Sequence, residues 1–248
     1  FLSAWCALIV GFSAPLAAVA IAFGKYLEAL SPGVNPLVAG GILIVALSLL
    51  NTWRVSATAR FQNAFTVFKI LLIVGFVVVG APRVQHTASF AQGPSVGATL
   101  WTPGFAVGLL WVSFAYTGWN ASVYVAGEVR DPARVLPRAL VIGTLLVTLL
   151  YVAVNAVFLA AAPVSALRDQ VAIGHVAAQH LLGPTGARVM TAVIATGLVS
   201  TIGAMIVTGP RIYEAVGRDY PRLGFLAQRR PNGGPVVATA LQSGLGLI

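Results

Sequence analysis

Long apolar runs, each close to the length of a membrane-crossing helix, constrain this chain more than any other feature. A transmembrane helix needs about 20 mostly apolar residues. Candidate runs lie at about 2–24, 36–52, 61–80, 103–126, 137–161, 187–209 and 235–248. Only 8% of the residues are charged, whereas about a quarter are charged in a typical soluble domain. The sequence therefore predicts an all-α integral membrane protein rather than a soluble enzyme, a nucleic-acid binder or a disordered chain.

The run at 235–248 is too short to cross a bilayer. Its 14 residues rise about 21 Å as a helix, less than a hydrocarbon core about 30 Å thick. We therefore expect a fragment, with six complete transmembrane helices and the start of a seventh in one transporter-like domain, 1–248. The segment 171–182 reads as a short helix on the external surface.

The basic residues fall unevenly between the loops. Ten arginines lie in the loops at 53–60, 127–138 and 210–234, whereas four basic residues lie in the opposite loops and span ends. Because basic residues collect on the cytoplasmic side, we expect the first set of loops, and residue 1, to be cytoplasmic. The net charge of +9 then reflects orientation in the lipid bilayer, not nucleic-acid binding. The Ala-, Val-, Arg- and Gly-rich composition with short loops is typical of a bacterial inner membrane.

The spans contain no arrangement of side chains typical of an enzyme or a metal centre. His175 and His180 are five residues apart and do not share a helical face. Cys6 is the single cysteine and lies in an apolar run. We therefore expect no enzymatic activity, no cofactor and no bound metal.

Lys69 is the first polar residue in the spans that needs an explanation. It lies eight residues after Phe61, about 12 Å along the helix, where a lysine is costly unless it faces protein or water. One interpretation is snorkelling to the cytoplasmic interface. The other is a fixed cation inside the bundle, which substitutes for a metal ion or releases its proton when desolvated. We favour the second interpretation.

The segment 111–128 places Gly118 and polar residues near the middle of a span. A helix break at membrane depth is tolerated where the backbone lines a cavity, and transporters use such breaks to present backbone groups to substrate. A small-residue packing face is the alternative. In the following loop, Glu128 and Arg130 are candidates for a cytoplasmic gate or for local ion pairing. Three interpretations remain for Ser200 and Thr201 in the sixth span: a helix kink, helix packing, or a coupling-ion site with Lys69.

Together these segments resemble the amino acid–polyamine–organocation (APC) superfamily of amino acid permeases, particularly its L-type amino acid transporter branch. The stretch FAYTGWNASVYVAGEVRDPARVLPRAL at 114–140 is similar to the sixth helix and following loop of that family. RIYEAVGRD at 211–219 is similar to the loop after its eighth helix, and Lys69 falls where its fifth helix carries a lysine. The resemblance implies a LeuT-like inverted-repeat fold, of which this chain covers helices three to eight and the start of nine.

The resemblance also implies roles for the residues that match. The implied substrate-binding residues are Phe114, Ala115, Tyr116, Thr117, Gly118, Trp119 and Asn120. Phe114 is the aromatic gate, Gly118 allows the break, and Thr117 replaces a glycine common in the L-type branch. Lys69 occupies the region where sodium-coupled relatives hold an ion, which favours proton coupling or exchange. The family's first helix, which supplies the other half of the site, is not in this sequence.

We therefore expect secondary active transport of an amino acid by alternating access, as proton symport or exchange. A permease for polyamines or another organic cation is one alternative, although such a permease is expected to place an acidic residue within a span. All six acidic residues here lie in loops or at helix ends. A non-transporting membrane scaffold is the other alternative.

Overall fold

A computed structural model describes residues 2–87, 95–168, 170 and 172–248 of the chain. In this part of the chain the secondary structure is helical, and the only extended pairing is an isolated antiparallel bridge between Arg229 and Pro235. The longer helices are α1 (Leu2–Leu30), α2 (Pro36–Trp53), α3 (Val55–Gly80), α4 (Pro103–Ala115), α5 (Pro132–Ala161), α6 (Ile173–Asp219) and α7 (Val236–Gly246). Shorter helices cover Ala81–Arg83, Val96–Leu100, Ala121–Tyr124, Ala126–Glu128, Val164–Leu167 and Pro221–Ala227.

The starts of the helices follow from capping side chains and prolines. The Asn35 side chain accepts hydrogen bonds from the backbone N–H groups of Leu37 (3.0 Å) and Val38 (3.3 Å), and Pro36 occupies the first helical position of α2. Thr102 caps α4 in the same way through the N–H of Phe105 at 3.2 Å. These caps satisfy donors that a helix start leaves open.

Several helices depart from the boundaries predicted from the sequence. α1 extends to Leu30 instead of ending near 24, and α3 begins at Val55, within the predicted loop at 53–60. α5 begins at Pro132, not at 137, and Pro137 lies inside it; both prolines can act as helix starts, and the earlier one is used. α6 runs from Ile173 to Asp219, but Gly183 has non-helical dihedral angles (φ 72°, ψ −169°) and divides it. The part before Gly183 corresponds to the predicted surface helix at 171–182, of which Val171 lies outside the described residues.

Five helices in the described ranges are long and apolar enough to cross a membrane: α1, α2, α5, α6 and the segment Ser56–Arg83 that contains most of α3. α4 and α7 are apolar but shorter, with 13 and 11 residues. Within 103–126 the helix ends at Ala115 and resumes at Ala121, so six complete spans stay a prediction.

The chain divides into two compact units. The first unit runs up to Leu72 and includes Arg188–Ile248. It has two clusters of buried residues: Leu16, Ala20, Ile44, Leu47, Ile202 and Ile206 form one, and Leu8, Tyr213, Leu226 and Ala238 form the other. Helices α1 and α2 approach closely at glycines: a Cβ at Gly40 would lie 2.5 Å from the Ala20 carbonyl oxygen. Such packing of small residues is how helices associate in a membrane.

The second unit, Ile73–Ala187, contains α4, α5 and the surface helix. The rings of Phe76 and Phe158 pack with centroids 5.5 Å apart. The backbone N–H groups of Gln85 and His86 both donate to the carbonyl oxygen of Ala160, at 3.3 and 3.0 Å. These contacts hold the segment after α3 against the end of α5.

Candidate functional site

The helix of the second unit that carries the predicted substrate-binding residues is interrupted. α4 ends at Ala115, a turn follows, and helix resumes at Ala121. Gly118 in this turn has φ 99°, a conformation that L side chains rarely adopt, and nothing lies within 4 Å of a Cβ built there. The glycine is therefore required by the backbone of the turn and not by lack of space. The structure thus has a break where the sequence suggested one.

The turn, residues 116–120, is closed by local hydrogen bonds. The N–H of Tyr116 donates to the Ser113 carbonyl at 3.1 Å, and the N–H of Ala121 donates to the Gly118 carbonyl at 3.0 Å. The Phe114 carbonyl accepts from both the N–H (3.1 Å) and the hydroxyl (2.7 Å) of Thr117. These bonds satisfy carbonyl groups that the end of a helix leaves without partners.

Two side-chain hydrogen bonds link the turn to the short helix Ala121–Tyr124 that follows it. The Asn120 amide donates to the Tyr124 hydroxyl at 2.7 Å, and the Ser122 hydroxyl donates to the Trp119 carbonyl at 3.0 Å. Asn120 therefore contributes to the shape of the segment after the break.

α5 supplies two residues that the sequence analysis missed. The Tyr151 hydroxyl donates to the Ala115 carbonyl at 3.1 Å, and the Tyr116 hydroxyl donates to Thr148 at 3.2 Å. The rings of Tyr116 and Tyr151 meet edge to face with centroids 5.3 Å apart. Their signal in the sequence was weak: Thr148 and Tyr151 are polar residues three apart, on one face of an otherwise apolar helix.

A cavity of about 310 Å³ lies between the turn and α5. It is lined by Ala115, Tyr116, Thr117, Trp119, Ala139, Leu140, Gly143, Thr144, Val147 and Tyr151. The cavity thus brings together four of the seven predicted substrate-binding residues. Phe114 is 70% exposed, and Phe114, Gly118 and Asn120 are not in the cavity wall. Its apolar wall with a few hydroxyl groups has the character of a small-molecule site.

The predicted coupling residues lie in the first unit, where α3 and α6 meet. Lys69 is partly buried, and its Cδ lies 3.4 Å from where a Cβ of Gly197 would be. The aliphatic part of Lys69 therefore lies against α6 at a glycine. Thr201 bonds within α6, with its hydroxyl donating to the Gly197 carbonyl at 3.1 Å.

Gln62 is a further polar residue of this contact that the sequence analysis missed. Its amide nitrogen donates to the Ser200 hydroxyl at 3.1 Å, and Ser200 is fully buried. Its side-chain oxygen is buried without a partner and lies 3.0 Å from a Cβ built at Gly203. Gln62 precedes Lys69 by seven residues, two helical turns, so both lie on one face of α3. That spacing is the signal by which Gln62 could have been found.

The predicted cytoplasmic gate is only partly described. Arg130 is exposed, and the side chain of Glu128 lies outside the described part of the chain. An ion pair in this loop joins Arg134 to Asp131 at 3.9 Å, with both side chains more than half exposed. Such a pair contributes little to stability, so a gating role for Glu128 and Arg130 stays a prediction.

A buried carboxylate organises the connection between α6 and α7. Glu214 is 3% exposed and accepts from Arg229 Nε at 2.8 Å and from Arg218. The N–H of Gly234, just before α7, donates to the Asn51 carbonyl at 3.0 Å. The segment 211–219, which resembled a family loop in sequence, is helical and forms the end of α6. The connection that follows it is held to α6 by the Arg229–Glu214 ion pair and to α2 by the Gly234–Asn51 hydrogen bond.

Five helices of the described residues are long and apolar enough to cross a membrane, as in an integral, multi-pass membrane protein. A family model described as amino acid permease matches residues 1–248. The chain therefore belongs to the amino acid permease family.

Curated relatives from mammals agree with this family. The human large neutral amino acids transporter small subunit 2 is 30% identical over 235 residues, which cover 88% of this chain and 43% of the relative. The mouse Asc-type amino acid transporter 1 is 29% identical over 237 residues, or 92% and 44% of the two chains. The mouse b(0,+)-type amino acid transporter 1 is 30% identical over 241 residues, or 92% and 48%. The chain spans less than half the length of these relatives.

Proposed function

We propose that this chain is part of a secondary transporter that moves an amino acid across the membrane by alternating access. The observation that carries the proposal is the interruption of α4 at Gly118, in a chain of the amino acid permease family. A break at membrane depth exposes backbone groups that can bind a polar substrate where lipid cannot solvate it. The names of the relatives support an amino acid as that substrate.

The substrate site in this proposal is the turn after α4. Thr117 and Trp119 contribute to the wall of the adjoining cavity, and Phe114, which is largely exposed, is the aromatic gate. The fold of the whole protein is the LeuT-like inverted repeat, in which segments outside this chain complete the site. The mammalian relatives give no support to the expected bacterial inner membrane.

The coupling site in this proposal is Lys69 with Ser200 and Thr201. Lys69 lies against Gly197 on α6, within about one helical turn of Ser200. A cation at this position substitutes for a bound metal ion, which favours coupling to protons, or exchange, over coupling to sodium. The packing of the lysine stem against α6 supports a position inside the protein.

The test is uptake of labelled amino acids by the full-length protein in proteoliposomes, with and without an inward proton gradient. Lys69→Met is compared with Lys25→Met, which removes the chain's other lysine, an exposed residue near the end of α1. Gradient-driven uptake that Lys69→Met abolishes and Lys25→Met leaves intact supports proton symport. Uptake that depends on internal amino acid but not on the gradient indicates exchange. If no amino acid enters in either condition, the proposal of amino acid transport is wrong.

A further inference from the structure

The broken helix depends on α5 for one of its terminal hydrogen bonds. In an unbroken helix the carbonyl of Ala115 would accept from the N–H of residue 119. In this structure it accepts from the Tyr151 hydroxyl at 3.1 Å. A side chain 36 residues further along the chain therefore takes the place of a donor that the turn removes.

Tyr116, the next residue of the turn, also contacts this face of α5. The Tyr116 hydroxyl bonds Thr148 at 3.2 Å, one helical turn before Tyr151, and the two tyrosine rings meet edge to face at 5.3 Å. Edge-to-face packing of aromatic rings adds to the stability that their burial provides. Two hydroxyl groups and one ring contact thus connect Ala115 and Tyr116, the residues where helical geometry ends, to α5.

We propose that Tyr151 is a positioning residue for substrate binding: it fixes the end of α4 and the start of the turn through the Ala115 carbonyl. The proposal rests on the proposed function, in which the turn binds the substrate. Tyr151 acts here through the backbone of Ala115 and the ring of Tyr116 and needs no contact with the substrate itself. The turn then keeps one geometry only while α5 remains beside it, so a movement of α5 changes the substrate site.

The experiment compares Tyr151→Phe, which removes only the hydroxyl, with Tyr26→Phe, which removes a hydroxyl from α1 in the other unit. Both are made in the full-length protein, and the KM and maximal rate of amino acid uptake are measured and corrected for the amount of protein in the membrane. We expect Tyr151→Phe to raise KM about three- to tenfold, the effect of losing one hydrogen bond, and Tyr26→Phe to leave it unchanged. A loss of uptake that follows protein amount alone, with wild-type KM, overturns the proposal.

A second measurement tests the positioning without transport. Hydrogen–deuterium exchange of the backbone amides at 116–120 reports how often the turn opens. We expect Tyr151→Phe to speed exchange in this segment about three- to tenfold, and Tyr26→Phe to leave it unchanged, since the loss of one hydrogen bond of this kind changes an equilibrium by about that factor. Unchanged exchange in Tyr151→Phe overturns the proposal even if the wild-type protein transports amino acids. If the wild-type protein transports none, the proposed function fails, while faster exchange in Tyr151→Phe still establishes that Tyr151 fixes the turn.

Discussion

The side-chain amide of Gln62 donates a 3.1 Å hydrogen bond to the hydroxyl of Ser200, which joins α3 to α6 across 138 positions of the chain. The other half of the same amide, its oxygen, is buried without a partner. The Gln62 side chain therefore stabilises the contact through its nitrogen and also buries an acceptor that has no donor. Replacing Gln62 and replacing Ser200 should for this reason have different effects on the free energy of unfolding.

We expect Ser200→Ala to lower the free energy of unfolding by about 1–3 kcal/mol, because the Gln62 amide then loses its acceptor while still buried. Gln62→Leu is expected to cost less, because it also removes the unpartnered oxygen, and the Ser200 hydroxyl can then bond within its own helix. The double variant is expected to be more stable than Ser200→Ala alone. Denaturation of the purified full-length protein measures all three, and a double variant with the summed loss of the two single variants contradicts the expectation.

The packing of α1 on α2 predicts a contrast between adjacent glycines. A Cβ at Gly40 would lie 2.5 Å from the Ala20 carbonyl oxygen, whereas a Cβ at Gly41 would meet only the end of the Leu247 side chain, at 3.4 Å. Gly40→Ala forces two helix backbones apart and is expected to cost about 1–3 kcal/mol of stability. Gly41→Ala is the control, and thermal unfolding in detergent compares them. Equal stability of the two variants would show that the helices can separate without cost.

The buried carboxylate of Glu214 predicts that a neutral amide cannot replace it. Glu214→Gln leaves Arg229 and Arg218 without the negative charge that both contact, and we expect it to lower the free energy of unfolding by about 1–3 kcal/mol. Asp219→Asn removes an exposed carboxylate at the end of the same helix and is expected to change it by less than about 0.5 kcal/mol. Unfolding by denaturant distinguishes the two; if Glu214→Gln is as stable as wild type, the ion pairs make no net contribution.

The broad architecture followed from the sequence because it depends on local properties. Runs of apolar residues predicted the membrane-crossing helices, and Gly118 among polar residues suggested a break, since only glycine readily adopts φ 99° there. Helix ends were less accurate, because Pro132 and Pro137 are both compatible with a helix start.

The partners of the polar residues could not be predicted, because they depend on which helices pack together. Gln62 lies two turns from Lys69, which identifies its face of α3 but not Ser200 as its partner. Tyr151 reads as an ordinary residue of an apolar span until α4 ends beside it and leaves the Ala115 carbonyl open. In both cases the hydrogen bond joins two residues far apart in the chain, and the pattern along one helix identifies only one of the two.

The turn after α4 predicts a contrast between two glycines that are ten residues apart. Gly118 has φ 99°, so Gly118→Ala strains the backbone by about 1–2 kcal/mol. Gly108 lies within α4, and a Cβ there would meet nothing within 4 Å. Gly108→Ala therefore adds helix propensity without a clash, and we expect it to leave the protein as stable as wild type or slightly more stable.

The KM for amino acid uptake shows whether Gly118→Ala alters the substrate site or only lowers the stability of the protein. Because a Cβ at Gly118 would meet no atom of the described chain within 4 Å, an added methyl group causes no clash within the chain, and we expect the altered turn to be the cause of a change in substrate binding. We expect Gly118→Ala to raise the KM for amino acid uptake and Gly108→Ala to leave it unchanged, in proteoliposomes with matched amounts of protein. If Gly118→Ala keeps the wild-type KM while its thermal stability falls, the turn tolerates a different backbone, and the substrate site does not depend on the left-handed conformation of residue 118.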